Sequence, residues 1–338
     1  MGSITKHVLI ASAAALLACA SSAAGTFRAG IVDPRPVPSA TSAALGSSLQ
    51  RYDVVWKAGA STFTGTLHLA RDTQPVLAVY GPEYNGIPRD QLSRQQFASW
   101  LRSLLARYPQ VDDVIVGNEP PTRWWPYYPQ VLRMVAPIIH SSGARVIGPG
   151  ARSTTPVSNQ QPLVDLIAIA GPHLLDAWDQ HGYWQNFPAT IAQVRAAFGW
   201  PIPVWISEDG IDTEPDPPFA YLYRGATPPD WHFWTTEAGQ AQLVAKFMRR
   251  AYCAGAAVWL NYLLRDEVDL ARWQSGLEHP DGSPKPAYAA FAAKRQEIAR
   301  GEVSCGDSEP SPQPRVAPSL WGASRPHKGQ TGRTSETG

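Results

Sequence analysis

The chain has 338 residues, 44% of them hydrophobic, 17% charged and 10% aromatic. That is ample apolar material for a large core and too little charge for a disordered chain. Lys and Arg total 29 against 28 Asp and Glu, a formal net charge of +1, and no basic run interleaved with aromatics occurs, which argues against a nucleic-acid partner.

The first residues, MGSITKHVLIASAAALLACASSAAG, set Lys6 ahead of an apolar run from Val8 to Ala20. Small residues follow, with Ser22 and Ala24 placed for a cut before Gly25. A run this short reads as a secretory signal over residues 1–24, since a membrane span needs about 20 apolar residues. Leu16-Leu17-Ala18-Cys19 also resembles a bacterial lipobox, in which Cys19 would carry a lipid anchor. Either way the chain is expected to be secreted or held at the cell envelope, with no membrane span. With Cys19 removed, Cys253 and Cys305 remain and are expected to pair, as two cysteines in an exported chain often do. They have neither the CxxC spacing nor the nearby His of a metal site, so no metal is expected there.

Beyond the signal, β-type runs alternate with helical ones. Strands are expected over 27–33, 53–57, 75–81, 113–118, 145–148, 175–183, 203–208 and 256–261. Helices are expected over 39–50, 61–71, 93–108, 129–142, 163–170, 189–198, 236–253 and 287–300. The clearest helix repeats Phe97, Leu101, Leu104 and Leu105 on one face, with Ser93 as its N-cap. Runs such as VIVGN, PVLAVYG and AAVWLNY are almost continuously apolar, as strands buried on both faces of a parallel sheet are. The alternation predicts an α/β fold, a single (β/α)8 TIM barrel over residues 25–302. An open doubly wound sheet lacks support, because no Gly-rich turn follows the first strand. Residues 303–338 are rich in Pro, Ser and Gly and read as a disordered tail.

Barrel sites form at the C-terminal ends of strands. Glu119 closes VIVGNEP on the fourth strand, and Glu208 closes PVWISEDG on the seventh. A charge directly after an apolar strand is costly without a partner or a task. Two carboxylates facing each other across a barrel mouth are what glycosidic bond cleavage requires. Four aromatics, Trp124, Trp125, Tyr127 and Tyr128, follow Glu119 and offer stacking faces for sugar rings or a packed loop. Asp212, Glu214 and Asp216, in the long connection over 210–235, lack the pattern of a calcium loop and read as solvated.

At these residues the chain resembles the clan-A retaining glycoside hydrolases, those of families 1, 5 and 39 among them. The resemblance rests on Asn118-Glu119-Pro120, on Ile206-Ser207-Glu208-Asp209-Gly210, and on the His181-Gly182-Tyr183 segment of the sixth strand. The stretch from Gly276 to Tyr288 is similar to the lead into the last barrel helix of family-39 and family-5 proteins. It implies Glu119 as general acid/base, Glu208 as nucleophile and Asn118 as a hydrogen-bond partner of the sugar 2-hydroxyl. His181 and Tyr183 would orient the carboxylates or the sugar, and Trp259 would form a stacking floor. Apart from the resemblance, Tyr80 at the end of the third strand and Trp125 in the aromatic run after Glu119 are candidates to bind substrate. No cofactor is implied, and the partner is a carbohydrate substrate. The second strand offers Lys57 where the family sets an arginine beside the nucleophile, and a lysine cannot make that bidentate contact. Asp209 is expected to point away from Glu208 by strand alternation. A non-catalytic carbohydrate-binding or cell-envelope protein on the same barrel stays open as the alternative.

Overall fold

The computed structural model describes residues 27–82, 86–152, 157–171, 173–183, 187–224 and 234–306, with backbone alone for 157–161. The expected signal, Cys19 and residues 307–338 of the tail lie outside these. The chain divides into two units, Met1–Ser304 and Cys305–Gly338, and the fold below is that of the first.

Eight parallel strands close into a barrel: β1 (Arg28–Val32), β2 (Leu49–Val55), β3 (Gln74–Tyr80), β4 (Asp113–Val116), β5 (Arg145–Ala151), β6 (Ala177–Gln180), β7 (Val204–Asp209) and β10 (Val258–Tyr262). Two short strands, β8 (Asp212–Thr213) and β9 (Trp234–Thr235), pair beside it. The helices are α1 (Ser39–Leu45), α2 (Gln91–Arg107), α3 (Tyr128–Ser141), α4 (Val157–Ala170), α5 (Phe187–Phe198), α6 (Glu237–Cys253) and α7 (Pro286–Ala299). The TIM barrel expected from the apolar runs is therefore present. Among the described residues, no helix is long and apolar enough to cross a membrane.

Alternation along each strand sorts the core into two apolar clusters. Leu49, Val76, Ala78, Ile115, Ile147, Ala177, Trp205, Val258 and Leu260 fill the barrel, while Val54, Val79, Val116, Trp178, Ile206 and Trp259 pack outward with the helices. Such burial on both faces is why these runs read as apolar throughout.

Three expectations are corrected. Residues 61–71 form no helix; Thr62, Thr64, Gly65 and Thr66 are poor helix formers, and tertiary acceptors take the backbone donors instead. Phe63 N donates to Ser103 Oγ (2.6 Å), Leu67 N to Tyr108 Oη (2.7 Å) and Ala70 N to Tyr52 Oη (2.8 Å). The first helix stops at Leu45 because Gly46 turns left-handed at φ 63°, which lets β2 begin at Leu49 rather than at Asp53. The cap of α2 is Asp90, whose carboxylate accepts from Ser93 N at 2.8 Å.

Outside β7 and β10, Trp259 Nε1 donates to Asp209 Oδ2 at 2.8 Å, and its ring lies 5.9 Å from that of Phe291 on α7. Both partners are buried. Burial pushes the Asp209 carboxyl up to about 7 against the opposing bonds from Trp259 and the Gly210 backbone. The folded chain thus holds a proton that the unfolded chain releases near the ordinary aspartate value, so stability falls as pH rises between the two. We expect Asp209→Asn to remove that decline. Urea denaturation from pH 4 to 7 should show the variant gaining on the wild type by roughly 1.4 kcal/mol per pH unit.

Candidate active site

The mouth is built around a buried cation. Arg51 lies on the inward side of β2 between Leu49 and Asp53 and is fully buried. Its Nη2 lies 2.7 Å from Glu208 Oε1, 2.8 Å from Asn118 Oδ1 and 2.9 Å from Asp53 Oδ1. Its Nη1 donates to Ser207 Oγ at 2.9 Å, and Ser207 Oγ donates to Asp179 Oδ2 at 2.5 Å. Burial disfavours the charge, but Asp53, Glu208 and Asp179 outweigh that, and the guanidinium is held above its ordinary range. Arg51 therefore takes the place the sequence assigned to Lys57, which lies exposed beyond the end of β2.

Asn118 and Glu119 leave β4 together. Glu119 adopts φ 43°, a left-handed backbone that is rare outside glycine and is stored where a site over-determines it. Glu119 N donates to Gly150 O at 2.7 Å, which fixes the turn against β5. Glu119 Oε1 lies 2.9 Å from His181 Nδ1, and the same nitrogen lies 3.3 Å from Glu208 Oε2. The buried imidazole thus sits between the two carboxylates, and one oxygen of Glu119 and one of Glu208 lie within 4.8 Å of each other. Tyr183 Oη donates to Glu208 Oε2 at 3.1 Å.

The electrostatics differ between the two acids. Burial raises the Glu208 carboxyl above its usual range, although His181 and Arg51 pull it back. Burial acts on Glu119 in the same direction, but the bond and charge of His181, with the ion pair to Arg152, hold it below. His181 is raised, because Glu208 and Glu119 together overcome the burial that disfavours its cation. These three side chains also have the spacing of a metal-ligand set. Arg51 and the imidazole already balance the carboxylates there, so hydrogen bonding accounts for the geometry.

The sequence-assigned residues are thus partly gathered. Glu119, Glu208, Asn118, His181 and Tyr183 meet in one cluster. Tyr80, at the end of β3, bonds Asp53 and so borders it through Arg51. Trp125 is half-buried beside Glu119, its Nε1 donating to Pro120 O at 2.8 Å. Trp259 is absent from the site and belongs to the outer core described above. Trp124 and Tyr128 are also buried packing residues, which leaves Trp125 and Tyr127 as the accessible aromatics of that run. Asp212 is buried rather than solvated, its Oδ1 accepting from Gln274 N at 2.8 Å. Cys253 and Cys305 are both disulfide-bonded. Sequence reasoning missed Trp273, whose ring stacks 5.7 Å from Tyr183 and meets Tyr262 edge-on at 5.4 Å. It follows a polar loop, and no pattern in the chain ties it to Tyr183.

No family model matches the chain, and no curated protein does. Among solved structures, it is similar to a family 39 glycoside hydrolase from the gut symbiont Bacteroides cellulosilyticus WH2, at 15% identity and a TM-score of 0.58. That match covers 80% of this chain and 64% of the other, so the chain spans less than two thirds of that protein. What the two share is the eight-stranded α/β barrel. A glucosidase from Croceicoccus marinus matches at 12% identity and a TM-score of 0.58, over 81% of this chain and 67% of its own. A family 5, subfamily 18 protein from Bifidobacterium longum subsp. infantis matches at 12% identity and a TM-score of 0.54, over 81% and 79%. Identities this low establish the barrel, and the chemistry has to be argued from the side chains.

Removing Arg51 would leave Glu208 buried without its closest cation. We expect Arg51→Met to lower stability by about 3–5 kcal/mol in urea denaturation, the cost of breaking a buried pair.

Proposed function

We propose that this protein is a retaining glycoside hydrolase, cleaving O-glycosidic bonds of an oligo- or polysaccharide by double displacement. The observation that carries this reading is the carboxylate pair at the ends of β4 and β7, with oxygens within 4.8 Å of each other. Retaining enzymes hold their carboxyl groups about 5–5.5 Å apart and inverting ones about 6.5–9.5 Å, and oxygens this near each other favour the closer arrangement.

In this mechanism Glu208 attacks the anomeric carbon. Arg51 and Tyr183 each bond one of its oxygens and so aim the carboxylate. Glu119 first gives a proton to the leaving oxygen and then takes one from the water that hydrolyses the glycosyl-enzyme. His181, held between the two acids, carries positive charge that steadies whichever carboxylate is ionised at each step. Because Arg51 occupies Asn118 Oδ1, the amide nitrogen is the group left to donate to the sugar 2-hydroxyl. Trp273 and Tyr183 form an aromatic wall suited to the apolar face of a sugar ring. The leader over residues 1–24 would export the enzyme to act on glycans outside the cytoplasm or in the envelope.

The two glutamates should fail differently. Glu208→Ala is expected to abolish turnover while circular dichroism shows an intact fold. Glu119→Ala is expected to slow glycosides with poor leaving groups by roughly 10²–10⁴-fold and to spare the first step on activated aryl glycosides. Steady-state kinetics on a glycan panel measure both. Unchanged turnover in Glu208→Ala would refute the assignment.

A further inference from the structure

Arg152 has no part in the mechanism above, yet it holds one of the mechanism's two acids. It directly follows β5, its side chain is 64% exposed, and its Nε lies 3.1 Å from Glu119 Oε2. The ion pair favours the ionised form of Glu119 and so opposes proton donation while it stands. Drawing Arg152 away from Glu119 favours the protonated acid that the leaving oxygen needs.

Another anion can replace that charge-assisted bond with an equivalent one, which a neutral hydroxyl cannot. The surroundings favour an incoming anion. Arg89, on the loop after β3, and Arg123, on the loop after β4, are both exposed. Their guanidinium carbons lie 4.7 and 5.6 Å from the ring centre of Trp124. Arg89, Arg123 and Arg152 thus follow the C-terminal ends of β3, β4 and β5, three neighbouring strands. On the loop after β10 the cations have acidic partners, Arg265 pairing with Glu278 and Arg272 with Glu267. The cationic loops therefore sit on the side of the mouth where Glu119 stands.

We propose that the substrate is a uronic-acid-containing glycan, whose carboxylate beside the scissile oxygen takes Arg152 from Glu119. Released, Glu119 Oε2 takes up a proton from solvent, and that proton is the one passed to the leaving oxygen. The inference rests on the acid/base reading of Glu119, and it makes Arg152 a specificity residue that touches substrate.

Tetrasaccharides from polygalacturonate, alginate and hyaluronan, each beside its carboxyl-reduced counterpart, provide the test. Calorimetry on the full chain should show at least one acidic fragment bound about tenfold more tightly than its neutral twin. Arg152→Gln should erase that preference, and Arg152→Glu should erase or invert it. Circular dichroism should show both variants folded, and Arg152→Gln, which adds no like charge beside Glu119, is the variant that decides. Equal binding of every acidic and neutral pair, no binding of any acidic fragment, or a preference that survives Arg152→Gln would overturn the proposal. Product release is read in the same samples. Acidic fragments bound through Arg152 but never cleaved would count against the hydrolase reading alone, while cleavage indifferent to Arg152 would count against this one alone.

Discussion

A single buried guanidinium organises the mouth of this barrel. Arg51 draws together the functional ends of β2, β4 and β7 by bonding Asp53, Asn118, Ser207 and Glu208. Burying one charge costs several kcal/mol unless partners replace the lost hydration, and here three strands supply them. The arrangement gives Glu208 a fixed direction and Asn118 a fixed amide orientation. It also makes the site inseparable from closure of the barrel, since β4 and β7 meet the cation from separate parts of the sheet.

The second constraint is the shared imidazole. His181 Nδ1 faces both acids, and their proximity raises the imidazole above its ordinary range, so the ring couples the two carboxyl groups. Two acids in one site need environments that push them apart if they are to take different roles. In this structure that order runs opposite to the proposed reaction, with Glu119 held low and Glu208 raised. The accessible element is Arg152, an exposed side chain whose departure would remove one of the interactions that favour ionised Glu119. The site is therefore read as a resting arrangement that substrate converts, and not as one already charged for reaction.

Much of this was legible in the chain. Strands buried on both faces leave runs such as VIVGNEP and PVWISEDG, and the first polar residue after each run marks the mouth. That logic found Glu119, Glu208, Asn118 and His181. It failed at β2, where inward Arg51 and Asp53 interrupt the apolar run, although Tyr52, Val54 and Trp56 keep the outward alternation. The same parity would have excluded Trp259, because its neighbours Val258 and Leu260 are the residues that enter the barrel. Asp209 does turn outward, as alternation required, to meet the Trp259 indole. The stretch 61–71, expected as a helix, is Thr-rich, and its low propensity and tertiary hydrogen-bond partners decide otherwise. Trp273 and Arg152 reach the site from loops, and loop placement leaves no periodic trace in a sequence.

The central claim is that Glu208 forms a covalent bond with the sugar. The most direct test incubates the full chain with a panel of activated 2-deoxy-2-fluoroglycosyl fluorides, neutral and uronic, and maps any adduct by peptide mass spectrometry. An adduct on Glu208 is the expected result. An adduct on Glu119, or a protein that hydrolyses glycans yet never becomes labelled, would contradict the account.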